Sequence, residues 1–153
     1  MPDNSCSSPV IINDKKKTSY TLERIPISGQ NSDYNERFIQ DIAFKHPECL
    51  PINEIDRVYE NLIPVCCELK TPAGPLDILY ITPKGRLVIA EAKLWRNPEA
   101  RRKVVAQIID YAKELSKWDY ESLQREVSRA TKKPGNVLFD LVSVCPRRDN
   151  YLI

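Results

Sequence analysis

Hydrophobic positions along this chain follow two different periods, and the changes between them mark its elements. Two apolar, β-branched-rich runs of strand length, 76–82 and 86–93, flank the turn Pro83-Lys84-Gly85. Three turn residues with Gly last predict a β-hairpin with Gly85 in the left-handed conformation. Leu76, Ile78 and Tyr80 share one parity and Asp77 has the other, yet Leu79 and Ile81 are apolar too. Such a strand belongs in the buried middle of a sheet, with Ile78, Tyr80, Leu87 or Val88, and Ala90 toward the core. Residues 65–70 read as a first core strand that also carries Glu68.

A helical period occupies the flanks. Phe38, Ile42 and either Ile39 or Ala43 give a stripe over 33–45, which Pro47 ends. A second short helical piece is expected over 53–61. Asn97 and Pro98 suit the cap and first position of a long helix with Val104, Ile108, Tyr111 or Ala112, and Leu115 inside. Another helix over 118–130 buries Leu123 and Val127, and Lys132-Lys133-Pro134-Gly135 breaks it. Residues 137–144 fit either a helical face or a strand. Residues 1–18 are polar and read as a flexible tail, with a short strand or extended segment over 20–27.

With 153 residues, 42% hydrophobic and 29% charged, the chain has the size of one domain, assigned to 19–153. No apolar run is long enough to span a membrane, and the N-terminus is polar where a signal peptide would be apolar; a cytoplasmic protein is expected. Cys6, Cys49, Cys66, Cys67 and Cys145 are odd in number and irregularly spaced, which argues against a disulfide framework. His46, Cys49, Cys66 and Cys67 offer zinc ligands on paper. Adjacent strand residues point to opposite faces, however, so buried thiols are the better reading.

The net charge of +2 says little, but its distribution says more. Residues 93–103 hold Lys93, Arg96, Arg101, Arg102 and Lys103 against Glu99, five basic and one acidic, a balance of +4. Taken with the hairpin, this patch has a neighbour of opposite sign. A three-residue loop that sets Thr82 against Arg86 sets Asp77 against Glu91, with Cβ atoms about 4.5–5.5 Å apart. Lys93, two residues on, lies on the same face. Like charges directly opposite destabilise a sheet. A divalent cation resolves the conflict, since two hard oxygen donors on adjacent strands suit Mg²⁺ or Mn²⁺. Lys93 would then orient a water or neutralise charge on a phosphate. A basic patch beside such a cluster is what a phosphodiester requires; the ordinary alternative is a solvated helix face.

Asp77, then Glu91-x-Lys93 across a hairpin, resembles the PD-(D/E)xK nuclease superfamily. Gln107-x-x-x-Tyr111 is similar to the QxxxY element of its RecB-type subgroup. The run from Lys93 to Arg102, on through Gln107 and Tyr111, also resembles bacterial members distantly related to NucS-type endonucleases. The resemblance covers residues 34–118. It implies an α/β (α+β) restriction-endonuclease-like fold, an αβββαβ core whose mixed central sheet is flanked by helices. It also implies that Glu36, on the first helix, completes the metal site of Asp77 and Glu91; Glu36 equally suits a capping box starting at Asp33. Glu68 is an outlying candidate ligand. If 137–144 is a helix, the last core strand lies beyond Ile153, and the chain is truncated or relies on a partner.

The expected activity is Mg²⁺- or Mn²⁺-dependent hydrolysis of DNA, with RNA the alternative substrate. Asp77, Glu91, Lys93 and Gln107 form the catalytic set. Arg96, Arg101, Arg102, Lys103, Tyr111 and Trp95 contact substrate, Trp95 by stacking on a base or sugar or else as a rim aromatic. A homodimer is compatible with this reading. A catalytically inactive module that binds nucleic acid or protein on the same fold is the alternative function.

Overall fold

The computed structural model describes residues 8–23, 35–93 and 98–144, with 98–101 as backbone alone. The chain divides into two compact units, Met1–Asn35 and Glu36–Ile153.

In the first unit, β1 (Val10–Asn13) pairs antiparallel with β2 (Thr18–Thr21). The region expected as a tail therefore contains a hairpin. Its β-branched Val10, Ile11 and Ile12 run opposite Thr21, Tyr20 and Ser19, and Lys17 takes a left-handed φ of 51° in the turn. The lysine run masks this signal in the sequence, because the hairpin exposes its apolar side chains and buries none.

The second unit is built on a sheet of three strands in the order β3 (Ile63–Thr71), β4 (Gly74–Ile81), β5 (Leu87–Ala90). The β4–β5 register pairs Ile78 with Ala90 and Ile81 with Leu87, as the loop length predicts. Gly85 has φ 78°, and Thr82 N–H donates to Arg86 O at 2.8 Å, closing the loop. β4 is buried on both faces: Leu76, Ile78, Leu79, Tyr80 and Ile81 all belong to the core.

Helix α1 (Glu36–Lys45) packs on β3 and β4, and the short α2 (Ile52–Ile55) and a 3-10 turn (Arg57–Tyr59) lead back into β3. Helix α3 (Pro98–Leu115) touches β3 and β5, α4 (Tyr120–Thr131) packs on β3, and α5 (Val137–Val144) on α4 and β3. Val65, Leu69, Leu76, Leu79, Tyr111, Leu123, Val127 and Leu138 form one continuous cluster between these elements. The stripe predicted for α1 is corrected in one respect. Ile42 is 40% exposed, and the buried position of that helix is Gln40.

The architecture is mixed α and β, as expected, but both pairings of the sheet are antiparallel rather than mixed. A parallel strand would have to follow α3, and the ambiguous stretch there is helical: α5 buries Val137 and Leu138 against the core. The other segments expected to be helical, around the Asn97 cap and the Asp33 capping box, start outside the described residues. Among the described residues Cys66 is buried, Cys67 half-buried and Cys49 exposed, all as free thiols. Burial pushes the Cys66 thiol up to about 12, as suits an inert core cysteine.

Leu69 is fully buried where β3 meets the helices. Leu69→Ala should cost about 2–5 kcal/mol of unfolding free energy, measured by urea denaturation. A loss below 1 kcal/mol, by the same scale, would mean the helices do not seal that face.

Candidate active site

The hairpin register carries two acids into one row. Between the Cys67–Ile78 and Leu69–Leu76 pairs, Glu68 stands opposite Asp77. Ile78–Ala90 is the last pair of β4 with β5, and continuing that register one step sets Asp77 against Glu91, just past the strand. Glu68 and Asp77 thus share a row across β3 and β4, and Glu91, the residue just past β5, continues it. Asp77 Oδ2 accepts a hydrogen bond from Ala92 N–H at 2.8 Å, which fixes that carboxylate toward the end of β5.

Glu91 is the exceptional residue. Its side chain is 1% exposed. Neither carboxylate oxygen has a hydrogen bond of good geometry. Lys93 Nζ lies 2.8 Å from Glu91 Oε1, a close ion pair. Burial drives the Glu91 pKa up and the charge of Asp77 adds to it, while Lys93 and the nearby Asp77 amide pull the other way without prevailing. Lys93 also reaches Glu36 Oε2 at 3.5 Å, bringing the first helix to the site. Burial by itself would lower the Lys93 pKa; Glu91, Glu36 and Asp77 outweigh it and hold the ammonium above its usual range.

From α3, Gln107 Nε2 donates to Tyr111 Oη at 2.7 Å, and Tyr111 Oη donates to Pro75 O at 2.6 Å. Tyr111, expected among the substrate contacts, lies in the core at 1% exposure with its hydroxyl committed to both partners. It pins α3 to the start of β4. Burial raises its pKa first; Glu91 and Asp77 raise it further, against Gln107 and Lys93, so this phenol feels the acidic cluster. Arg102 and Lys103 are exposed on the first turns of α3. Trp95 and Arg96 lie outside the described residues, as does the side chain of Arg101.

Gln40 adds to the predicted set, and Glu68, an outlying candidate, proves to be its partner. Gln40, 3% exposed, donates to Asp77 O at 2.7 Å and to Glu68 Oε1 at 3.1 Å. The available signal was a polar residue one turn after Glu36, on the same face of the helix. Glu68 adopts φ 55° in the middle of β3. A side chain in the left-handed region costs about 1–2 kcal/mol, and no sequence pattern announces it.

The residues suit a hard divalent cation in one respect and limit it in another. A buried carboxylate beside a second one is the donor chemistry such an ion takes. Among the described residues no three His, Cys, Asp or Glu side chains are gathered for a metal. The protein would thus supply one or two carboxylates, and water and phosphate the remaining positions, as is usual for Mg²⁺. A separate apolar groove of about 600 Å³, lined by Leu62, Ile63, Pro64, Val137, Leu141 and Val144 among others, has only Asp140 and Lys133 as charged neighbours and lacks this chemistry. No family model matches the chain, and neither curated proteins nor solved structures give a match.

Because its folded-state pKa is raised, Glu91 contributes stability that is present at low pH and lost as pH rises through the folded value. Glu91→Gln removes the buried charge. It should raise the thermal midpoint at pH 8, with the gain vanishing below the usual glutamate value of about 4.3. Thermal melts across pH check this; no gain at pH 8 would mean that Lys93 fully compensates the carboxylate.

Proposed function

We propose that this chain is a divalent-cation-dependent phosphodiesterase that hydrolyses DNA. The observation that carries the reading is the buried Glu91 carboxylate beside Asp77: its ion-pair partner Lys93 is shared with Glu36 and does not offset the cost of its burial. A stability-driven sequence would replace it, because an incompletely paired buried charge is costly. Glu91 and Asp77 would hold the cation, with Glu36 at its edge. Bound there, Mg²⁺ or Mn²⁺ supplies the Lewis acidity that polarises a phosphoryl oxygen and acidifies a coordinated water.

The chain's own groups do the rest. Lys93 stays protonated at neutral pH, given its raised pKa, and its Nζ sits beside the carboxylate pair, where charge develops on the phosphate. Gln107 and Tyr111 support the cluster from α3 and fix that helix over the hairpin. Arg102 and Lys103, with Arg96 and Arg101 from the same basic run, supply phosphate contacts near the N-terminus of α3, itself favourable to anions. Trp95 is positioned in sequence to stack on substrate. Addition of water across one P–O bond leaves a 5′-phosphate and a 3′-hydroxyl, the outcome the superfamily resemblance implies.

Single-stranded, double-stranded and branched DNA, with RNA in parallel, should be incubated with Mg²⁺, Mn²⁺ or EDTA. Cutting should require the cation, and Lys93→Ala should lower the rate about 10²–10³-fold. Asp77→Ala and Glu91→Ala should abolish it. Undiminished cleavage in Lys93→Ala sinks the assignment. Cation binding without cleavage of any substrate would instead favour a binding module.

A further inference from the structure

Gln40 is a buried amide where α1 meets the sheet, and both of its hydrogen bonds end on the acidic row, at Asp77 O and Glu68 Oε1. An apolar side chain would fill the same volume without the cost of desolvating an amide. What the amide adds is direction. Apolar contact tolerates sliding of a helix along a strand; two hydrogen bonds from one planar group do not. Gln40 follows Glu36 by four residues, so the two share a face of α1. Glu36 is the residue through which that helix meets Lys93, at 3.5 Å.

We propose that Gln40 is the positioning residue of the acidic site: by fixing α1 on Asp77 and Glu68, it holds Glu36 against Lys93. Glu68 takes part as the acceptor of the second N–H, in its left-handed backbone conformation. The site reading is needed only for the cation arm of the test.

Gln40→Met keeps the length of the side chain and removes both donors. Tyr80→Phe is the control, because Tyr80 Oη donates to Ala43 O at 2.8 Å and so forms another bond between β4 and α1. Zero-length carbodiimide crosslinking followed by peptide mass spectrometry reads the Glu36–Lys93 contact directly. Calorimetry with Mn²⁺ reads cation affinity without any need for cleavage. Gln40→Met should lose most of the Glu36–Lys93 crosslink and weaken Mn²⁺ binding about tenfold, while Tyr80→Phe leaves both unchanged. Should Gln40→Met fail to fold, Gln40→Asn, whose amide is too short to reach both acceptors, carries the same expectation. A wild-type crosslink yield in the Gln40 variants overturns the proposal, as does an equal loss in Tyr80→Phe. If the wild type binds no Mn²⁺ but its crosslink depends on Gln40, the cation reading fails and the positioning role stands.

Discussion

Two carboxylates meet at the open end of a hairpin, and the side chain of one of them, Glu91, is sealed from water with Lys93 as its ion-pair partner. The hairpin forces this arrangement, because a three-residue loop leaves a single register and that register pairs residue 77 with residue 91. Lys93 answers part of the repulsion. Its ammonium is pulled between Glu91 and Glu36, so the helix that precedes the sheet and the strand that ends it meet at one positive charge. Remove that conflict and little reason remains for a charged side chain so fully covered.

Local costs cluster around the same row. Glu68 pays left-handed strain in mid-strand, Gln40 buries an amide, and Asp77 spends one carboxylate oxygen on the Ala92 amide. Costs of this kind persist where the surrounding structure over-determines them, and they collect at functional sites. The core opposite shows the contrary pattern: Leu69, Leu76, Leu79, Val127 and Leu138 pack with no polar compromise.

Tyr111 joins the two. Its ring belongs to the apolar cluster, while its hydroxyl links Gln107 to the Pro75 carbonyl where β4 begins. A Gln and a Tyr one turn apart therefore act as a strut between α3 and the hairpin. This orients the basic first turns of α3, with Arg102 and Lys103 exposed, relative to the strands that carry the acids.

Local information in the sequence determined the hairpin, its loop, its register, the pairing of Asp77 with Glu91, and most helix positions, because each depends on neighbours a few residues apart. It also singled out Glu91 and Lys93, which the fold holds 2.8 Å apart, and Gln107 and Tyr111, which it joins by a hydrogen bond. Tertiary structure decided the rest. Glu91 is buried because other elements cover it. Gln40 rather than Ile42 fills the buried place on α1 because Asp77 O and Glu68 Oε1 wait there as acceptors, 37 and 28 residues away in sequence. Residues 137–144 became a helix rather than a strand because Val137 and Leu138 find a core already built by β3 and α4. Hydrophobic periodicity records how a segment is patterned; the partner that accepts the pattern exists only once the chain has folded.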